Sequence, residues 1–106
     1  MPEQILKAIK VVNLTLAPDI LLSLDQNPQR FTDLKHGISV DRSQEVHSST
    51  FTRALRRLKR HQLVTLDGGE YHLTEAGLGF IPFLMNVRLW AARFPDSLDP
   101  KPSQPA

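Results

Sequence analysis

Five basic side chains lie within eight consecutive positions of the 106-residue sequence, and their type and spacing indicate an anionic partner. They are Arg53, Arg56, Arg57, Lys59 and Arg60. Guanidinium and ammonium groups donate charge-assisted hydrogen bonds to phosphates, and arginine also pairs bidentately with guanine. No acidic residue occurs between Glu45 and Asp67 to neutralise them. Like charges one helical turn apart cost about 0.3 kcal/mol per pair, which a polyanion explains better than the alternative, a solvated surface helix.

The five basic residues belong to a predicted helix over residues 49–61, with either Ser48 or Ser49 as its N-cap. Residues at the spacing of its inward face are Phe51, Leu55, Leu58 and Gln62. Residues on its outward face are Ser49, Arg53, Arg56 and Arg60, flanked by Thr50 and Arg57. The helix is therefore predicted to be apolar toward the core and cationic toward solvent.

Three further helices are predicted before the basic helix, from the spacing of apolar residues and from prolines in first turns. They cover residues 2–13, 18–26 and 31–36. The third is expected to end at Gly37, because glycine readily takes the left-handed cap conformation. Residues 39–47 are polar and lack clear periodicity, so we expect a loop there.

A hairpin and a long helix are predicted after the basic helix. Strand-forming residues at 63–66 and 71–73 flank Asp67-Gly68-Gly69-Glu70, which suits a tight turn. Thr74 then caps a helix that runs to about Phe94. The order predicts a mainly α fold with a small β-hairpin (α+β), a winged helix-turn-helix domain over residues 1–94. Residues 95–106 are rich in proline and polar residues, and we expect a disordered tail.

The last helix carries apolar residues on two sides, and a domain of this size covers one of them well. We therefore expect the other side to contact a second subunit in a two-fold homodimer, the commonest symmetric assembly. The residues predicted for this interface, including two from the first helix, are Ile5, Ile9, Leu78, Ile81, Met85, Leu89, Phe83 and Trp90.

Composition argues against several classes of protein. Cysteine is absent, which excludes disulfides and thiolate chemistry, and the four histidines lack the spacing of metal ligands. No cluster of acids and bases suggests catalysis, so we predict no enzyme activity, metal or cofactor. The N-terminal sequence lacks the features of a secretory signal, and no run approaches the ~18 apolar residues of a membrane span. We expect a soluble cytoplasmic protein without a membrane partner.

Three stretches of the sequence resemble the HxlR-type transcriptional regulators of bacteria. They are residues 30–34 (RFTDL), 51–58 (FTRALRRL) with Leu63 and Val64, and 71–77 (YHLTEAG) followed by Pro82 and Trp90. The resemblance spans roughly residues 16–94 and implies a homodimer that binds double-stranded DNA. The sequence departs from the family pattern in two places. The connection between Ile38 and Phe51 is longer than is usual in the family, and Gln62 stands where the family usually has glycine.

In a helix-turn-helix protein the second helix lies in the major groove, and its first residues meet the base edges. The predicted base contacts are Ser49, Thr50 and Arg53. The predicted phosphate contacts are Arg56, Arg57 and Arg60. Arg30 and Lys35 join them near the predicted helix over residues 31–36, which is the supporting helix of the helix-turn-helix. The hairpin tip is acidic, unlike wings that bind DNA closely. The alternative is therefore a winged-helix module, or accessory regulator, whose basic helix binds an acidic protein partner.

Overall fold

The computed structural model describes residues 3, 10 and 16–94 of the chain. Its elements are α1 (Ala17–Gln26), α2 (Phe31–Arg42), α3 (Ser48–Arg60), β1 (Val64–Asp67), β2 (Glu70–Leu73) and α4 (Glu75–Arg93). The predicted winged helix-turn-helix fold of the α+β class is confirmed. The predicted helix at residues 2–13 lies outside the described residues except for Glu3 and Lys10, which are helical. The predicted disordered tail at 95–106 also lies outside them.

One apolar core joins the three helices α1, α2 and α3 to the hairpin and to α4. The largest side chains that are fully buried are Phe51, Ile20, Leu21, Leu34, Ile38, Leu58 and Leu84. No polar or charged residue in the described part of the chain is buried. The ring of Phe31 meets Phe51 edge to face, with ring centroids 5.1 Å apart. The supporting helix α2 and the basic helix α3 therefore share a packed aromatic contact.

Helix α2 is longer than predicted. It continues through Gly37 to Arg42, because Ile38 extends the buried face that Leu34 begins, one turn earlier. The left-handed cap is Ser43, at φ 54°, and its N–H bonds back to the last turn of the helix. The prediction that residues 39–47 form a loop is thus wrong for 39–42. The connection to α3 is residues 43–47.

The ends of α3 also differ from the prediction. Its N-cap is His47 rather than Ser48 or Ser49, and no side chain caps it. At the other end Gln62 is exposed instead of inward, and it takes a left-handed conformation with φ 62°. The Leu63 amide then donates a hydrogen bond of 3.0 Å to the Leu58 carbonyl, which would otherwise lack a partner in the last turn of the helix. Gln62 therefore occupies a position at which a side chain is strained.

Replacing Gln62 by glycine is expected to stabilise the protein by about 0.5–1 kcal/mol, since glycine adopts positive φ without a steric penalty. The bonds that Gln62 makes through its backbone carbonyl would remain. Chemical denaturation of the two proteins measures the difference. A variant no more stable than the wild type would show that the left-handed turn carries no strain.

The wing is a two-stranded antiparallel hairpin with the predicted tight turn. Gly68 and Gly69 both have positive φ, at 60° and 82°, and Asp67 pairs with Glu70 across the strands. A third segment joins it, because Gln29 and Tyr71 exchange backbone hydrogen bonds of 3.2 Å and 2.7 Å. The wing is therefore tied to the connection between α1 and α2.

The start of α4 is joined closely to the end of α3. Thr74 Oγ1 accepts a hydrogen bond from the Gly77 amide at 3.0 Å, as predicted for the cap, and donates one to the Gln62 carbonyl at 2.5 Å. The Thr74 amide bonds to the Leu63 carbonyl at 3.0 Å. A Cβ at Gly77 would lie 2.1 Å from that same carbonyl oxygen. We call Gln62, Leu63, Thr74 and Gly77 the α3–α4 junction. The junction requires glycine at position 77, where the backbone of α4 lies against the Leu63 carbonyl.

Helix α4 runs for 19 residues through Pro82 and buries a single face. The buried residues are Gly77, Ile81 and Leu84. Ile81, which was predicted at a subunit interface, packs in the core of its own chain and leaves only 8% of its surface exposed to a second subunit. No helix among the described residues is both long and apolar enough to span a membrane.

Candidate nucleic-acid interface

The exposed surface of α3 carries the cationic side chains that the sequence predicts. We call Arg53, Arg56, Arg57, Lys59 and Arg60 the basic face; all five are exposed. Within residues 16–94 the ion pair that forms is Arg42 with Asp19, at 2.8 Å, and no carboxylate pairs with the basic face. Five cations on one helix, none of them paired with a carboxylate of the described residues, produce a positive potential that attracts a polyanion.

The first turns of α3 bring together part of the predicted base-contacting set. A shallow cavity of about 450 Å³ is lined by Ser48, Ser49, Thr52, Arg53 and Arg56. Ser49 and Arg53 are exposed there beside two further hydroxyls. Thr50 is half-buried and lies outside this cavity, so the structure does not group it with the other two.

The flank of α3 that faces the wing forms a second cavity, of about 250 Å³. We call it the flank pocket; it is lined by Phe31, Thr52, Leu55, Arg56, Lys59 and Tyr71. The sequence predicted Arg56 as a phosphate contact, and it did not indicate that Thr52, Lys59 and Tyr71 lie beside it. Lys59 was present in the basic cluster, whereas nothing in the sequence brings Tyr71 beside α3. Arg57 projects about 100° around the helix from Arg56, away from this pocket.

Arg30 and Lys35, the predicted contacts from the supporting helix, lie in different places. Arg30 precedes α2, and its side chain reaches the wing: Arg30 Nη1 lies 2.8 Å from the position of a Cβ at Gly69. Lys35 is half-buried and lines a groove between α2 and the following connection, together with His36. Arg30 thus places a cation against the acidic wing, and Lys35 is separate from the basic face.

Most of the predicted subunit contacts on α4 are exposed apolar side chains. Leu78, Met85 and Leu89 are 55%, 48% and 67% exposed, and they are spaced seven and then four residues apart. The same spacing relates Phe83, Trp90 and Phe94, which are 38–44% exposed. Each set forms one straight row along the helix. Ile5 and Ile9 lie outside the described residues.

Comparisons with known proteins identify relatives of the fold. No family model matches the sequence. An uncharacterized HTH-type transcriptional regulator of Methanocaldococcus jannaschii is 26% identical over 83 residues, covering 78% of this chain and 77% of the relative.

Two solved structures of YodB from B. subtilis share the architecture of this chain. The quinone-bound form superposes with a TM-score of 0.75 at 20% identity, over 89% of this chain and all of YodB. The reduced form of this transcriptional regulator gives 0.76 at 19% identity, over 93% of this chain and 99% of YodB. The fold is therefore shared, over about nine-tenths of this chain, with a chain that is covered almost completely.

Proposed function

We propose that this protein is a transcriptional regulator of the HxlR type that binds double-stranded DNA and has no enzyme activity. The observation that carries the proposal is the basic face, which is exposed on the second helix of a helix-turn-helix and pairs with no carboxylate of the described residues. The regulator names of the M. jannaschii relative and of YodB support it. The protein would act in the cytoplasm and on the nucleoid.

Recognition would begin with α3 in the major groove. Ser49 and Arg53 lie in its first turns, where arginine is able to donate two hydrogen bonds to guanine. The remaining arginines of the basic face would bind backbone phosphates on either side of the groove. Arg30 would supply the cation that the wing lacks, since Asp67 and Glu70 beside the turn repel phosphate.

We propose a homodimer in which the exposed rows of α4 contact a second copy. Six large apolar side chains are exposed along α4 and at its C-cap, in two rows that flank its buried face, and a monomer rarely leaves so much apolar surface in water. A two-fold pair would present its two α3 helices about 34 Å apart, the repeat of the major groove on one side of DNA.

Replacing Leu89 by glutamate is expected to convert the dimer to a folded monomer. Leu89 is 67% exposed, so the substitution changes the folding stability of its own chain little. A carboxylate in an apolar interface destabilises the dimer by several kcal/mol, because the charge is buried without a partner. Mass by light scattering and the circular dichroism spectrum report assembly and fold. Val40→Glu on α2, at 61% exposure, is the matched control and should keep the wild-type mass. A dimeric Leu89→Glu variant contradicts this interface.

The function is tested by binding of the wild-type protein to random and genomic duplex fragments at about 50 mM and about 200 mM salt. We expect sequence-selective binding whose affinity falls steeply with salt, because several phosphates release their counterions. A folded protein that binds no DNA at the lower salt contradicts the proposal. The basic face would then suit an acidic protein partner.

A further inference from the structure

We infer that the flank pocket between α3 and the wing is a built site for one deoxyribose-phosphate unit of the DNA backbone. The inference rests on the proposed function and adds three residues to it, Thr52, Lys59 and Tyr71. Three elements of the fold supply the walls: the start of α2, the flank of α3 and β2.

Two cations meet at this pocket. Arg56 and Lys59 are three residues apart on α3, so their side chains project from the same flank of the helix. Both are exposed, and neither pairs with a carboxylate of the described residues. Their mutual repulsion is relieved when an anion lies between them, and a phosphodiester accepts charge-assisted hydrogen bonds from both.

Two residues that carry hydroxyl groups line the same space. Thr52 lies one turn before Arg56 on α3, and Tyr71 lies opposite on β2. Neither hydroxyl forms a hydrogen bond in the described part of the chain. Hydroxyl side chains commonly donate to phosphate oxygens, so the pocket offers neutral donors in addition to its cations.

The remaining wall is apolar, which suits the sugar rather than the phosphate. Phe31 is half-buried, and Leu55 is almost fully buried beneath it. A deoxyribose ring presents C–H groups to such a surface, whereas a free inorganic anion gains nothing from it. The combination of cations, hydroxyls and an aromatic ring therefore fits the backbone unit better than an isolated phosphate ion.

The pocket is held in place before any ligand binds. The edge contact with Phe51 fixes the Phe31 ring, and the paired backbone bonds with Gln29 fix the main chain of Tyr71. Binding therefore orders the exposed side chains of Arg56 and Lys59 but not the backbone or the Phe31 ring around them, which limits the entropy lost.

Lys59→Ala tests the pocket, with Arg42→Ala as the control. The Arg42 guanidinium is paired with Asp19 and lines a cleft to which α3 does not contribute. We expect Lys59→Ala to weaken binding to the selected duplex by about fivefold to tenfold at low salt. The slope of log affinity against log salt should fall by about 1. Arg42→Ala should change the affinity less than twofold.

Tyr71→Phe removes only the hydroxyl and should weaken binding by about twofold to threefold without changing the salt slope. A scan of the duplex with single methylphosphonate substitutions then locates the phosphate, because neutralising the right one abolishes the effect of Lys59→Ala. Equal behaviour of Lys59→Ala and Arg42→Ala, with wild-type binding intact, overturns the flank pocket alone. Absence of wild-type binding overturns the proposed function and the pocket together.

Discussion

Replacing Arg53 and Arg57 together by alanine is expected to lower the affinity for the selected duplex by about 100-fold or more. Each arginine that contacts DNA contributes about 1–3 kcal/mol, and 1.4 kcal/mol corresponds to a factor of ten. Both side chains are exposed on α3, so their removal leaves the core intact. Titration of labelled duplex measures the affinity, and the thermal unfolding curve should coincide with that of the wild type.

The matched control for that variant removes the same charge from another surface. Arg42 and Arg88 line the cleft among α1, α2 and α4, so the double alanine variant retains the basic face. We expect the control to bind within about threefold of the wild type, because distant surface charges are screened at ordinary salt. Equal loss of binding in both variants would mean that net charge, and not α3, determines affinity.

Replacing Gly77 by alanine is expected to destabilise the fold by about 3 kcal/mol, which is a large share of the stability of a small domain. A Cβ at this position would lie 2.1 Å from the Leu63 carbonyl oxygen, and this neighbour is backbone that cannot rotate away. The carbonyl also accepts the Thr74 amide, so moving it breaks the α3–α4 junction. The gain in helix propensity, about 1 kcal/mol, is smaller than this cost.

Gly79 provides the control for that substitution, two residues later in the same helix. A Cβ there meets nothing within 4 Å, so Gly79→Ala should stabilise the protein by about 0.5–1 kcal/mol. Urea denaturation of both variants against the wild type gives the two changes. If Gly77→Ala also stabilises, the close contact with Leu63 does not limit the fold.

The sequence predicts the elements that depend on local signals. The apolar spacing of α1 and α3, the double glycine of the wing and the Thr74 cap all act within a few residues, and these elements were found within one residue of their predicted bounds. Gly37 shows the limit of local reasoning. A glycine is able to end a helix, but burial of Ile38 favours continuing it, and that gain exists only in the packed domain.

The candidate site also has one part that the sequence predicts and one part that only the folded structure reveals. The basic face follows from the helical spacing of α3, so the sequence indicates it directly. The flank pocket does not follow, because Tyr71 reaches α3 only through the pairing of β2 with Gln29. Similarly, Ile81 has the spacing of an outward row, and only the packing of α4 against the core shows that it is buried.

The α3–α4 junction has a mechanical consequence for the proposed dimer. Two hydrogen bonds from Thr74, to the carbonyls of Gln62 and Leu63, join the end of α3 to the start of α4, so in the proposed dimer the two helices would move together as one arm. The 19 residues of α4 make that arm about 28 Å long. A 10° rotation of this arm about one end of α4 would displace the other end by roughly 5 Å. That displacement is larger than the 3.4 Å rise of one base pair. Small rotations at the subunit contact would therefore be amplified into a change in the spacing of half-sites that the dimer is able to span.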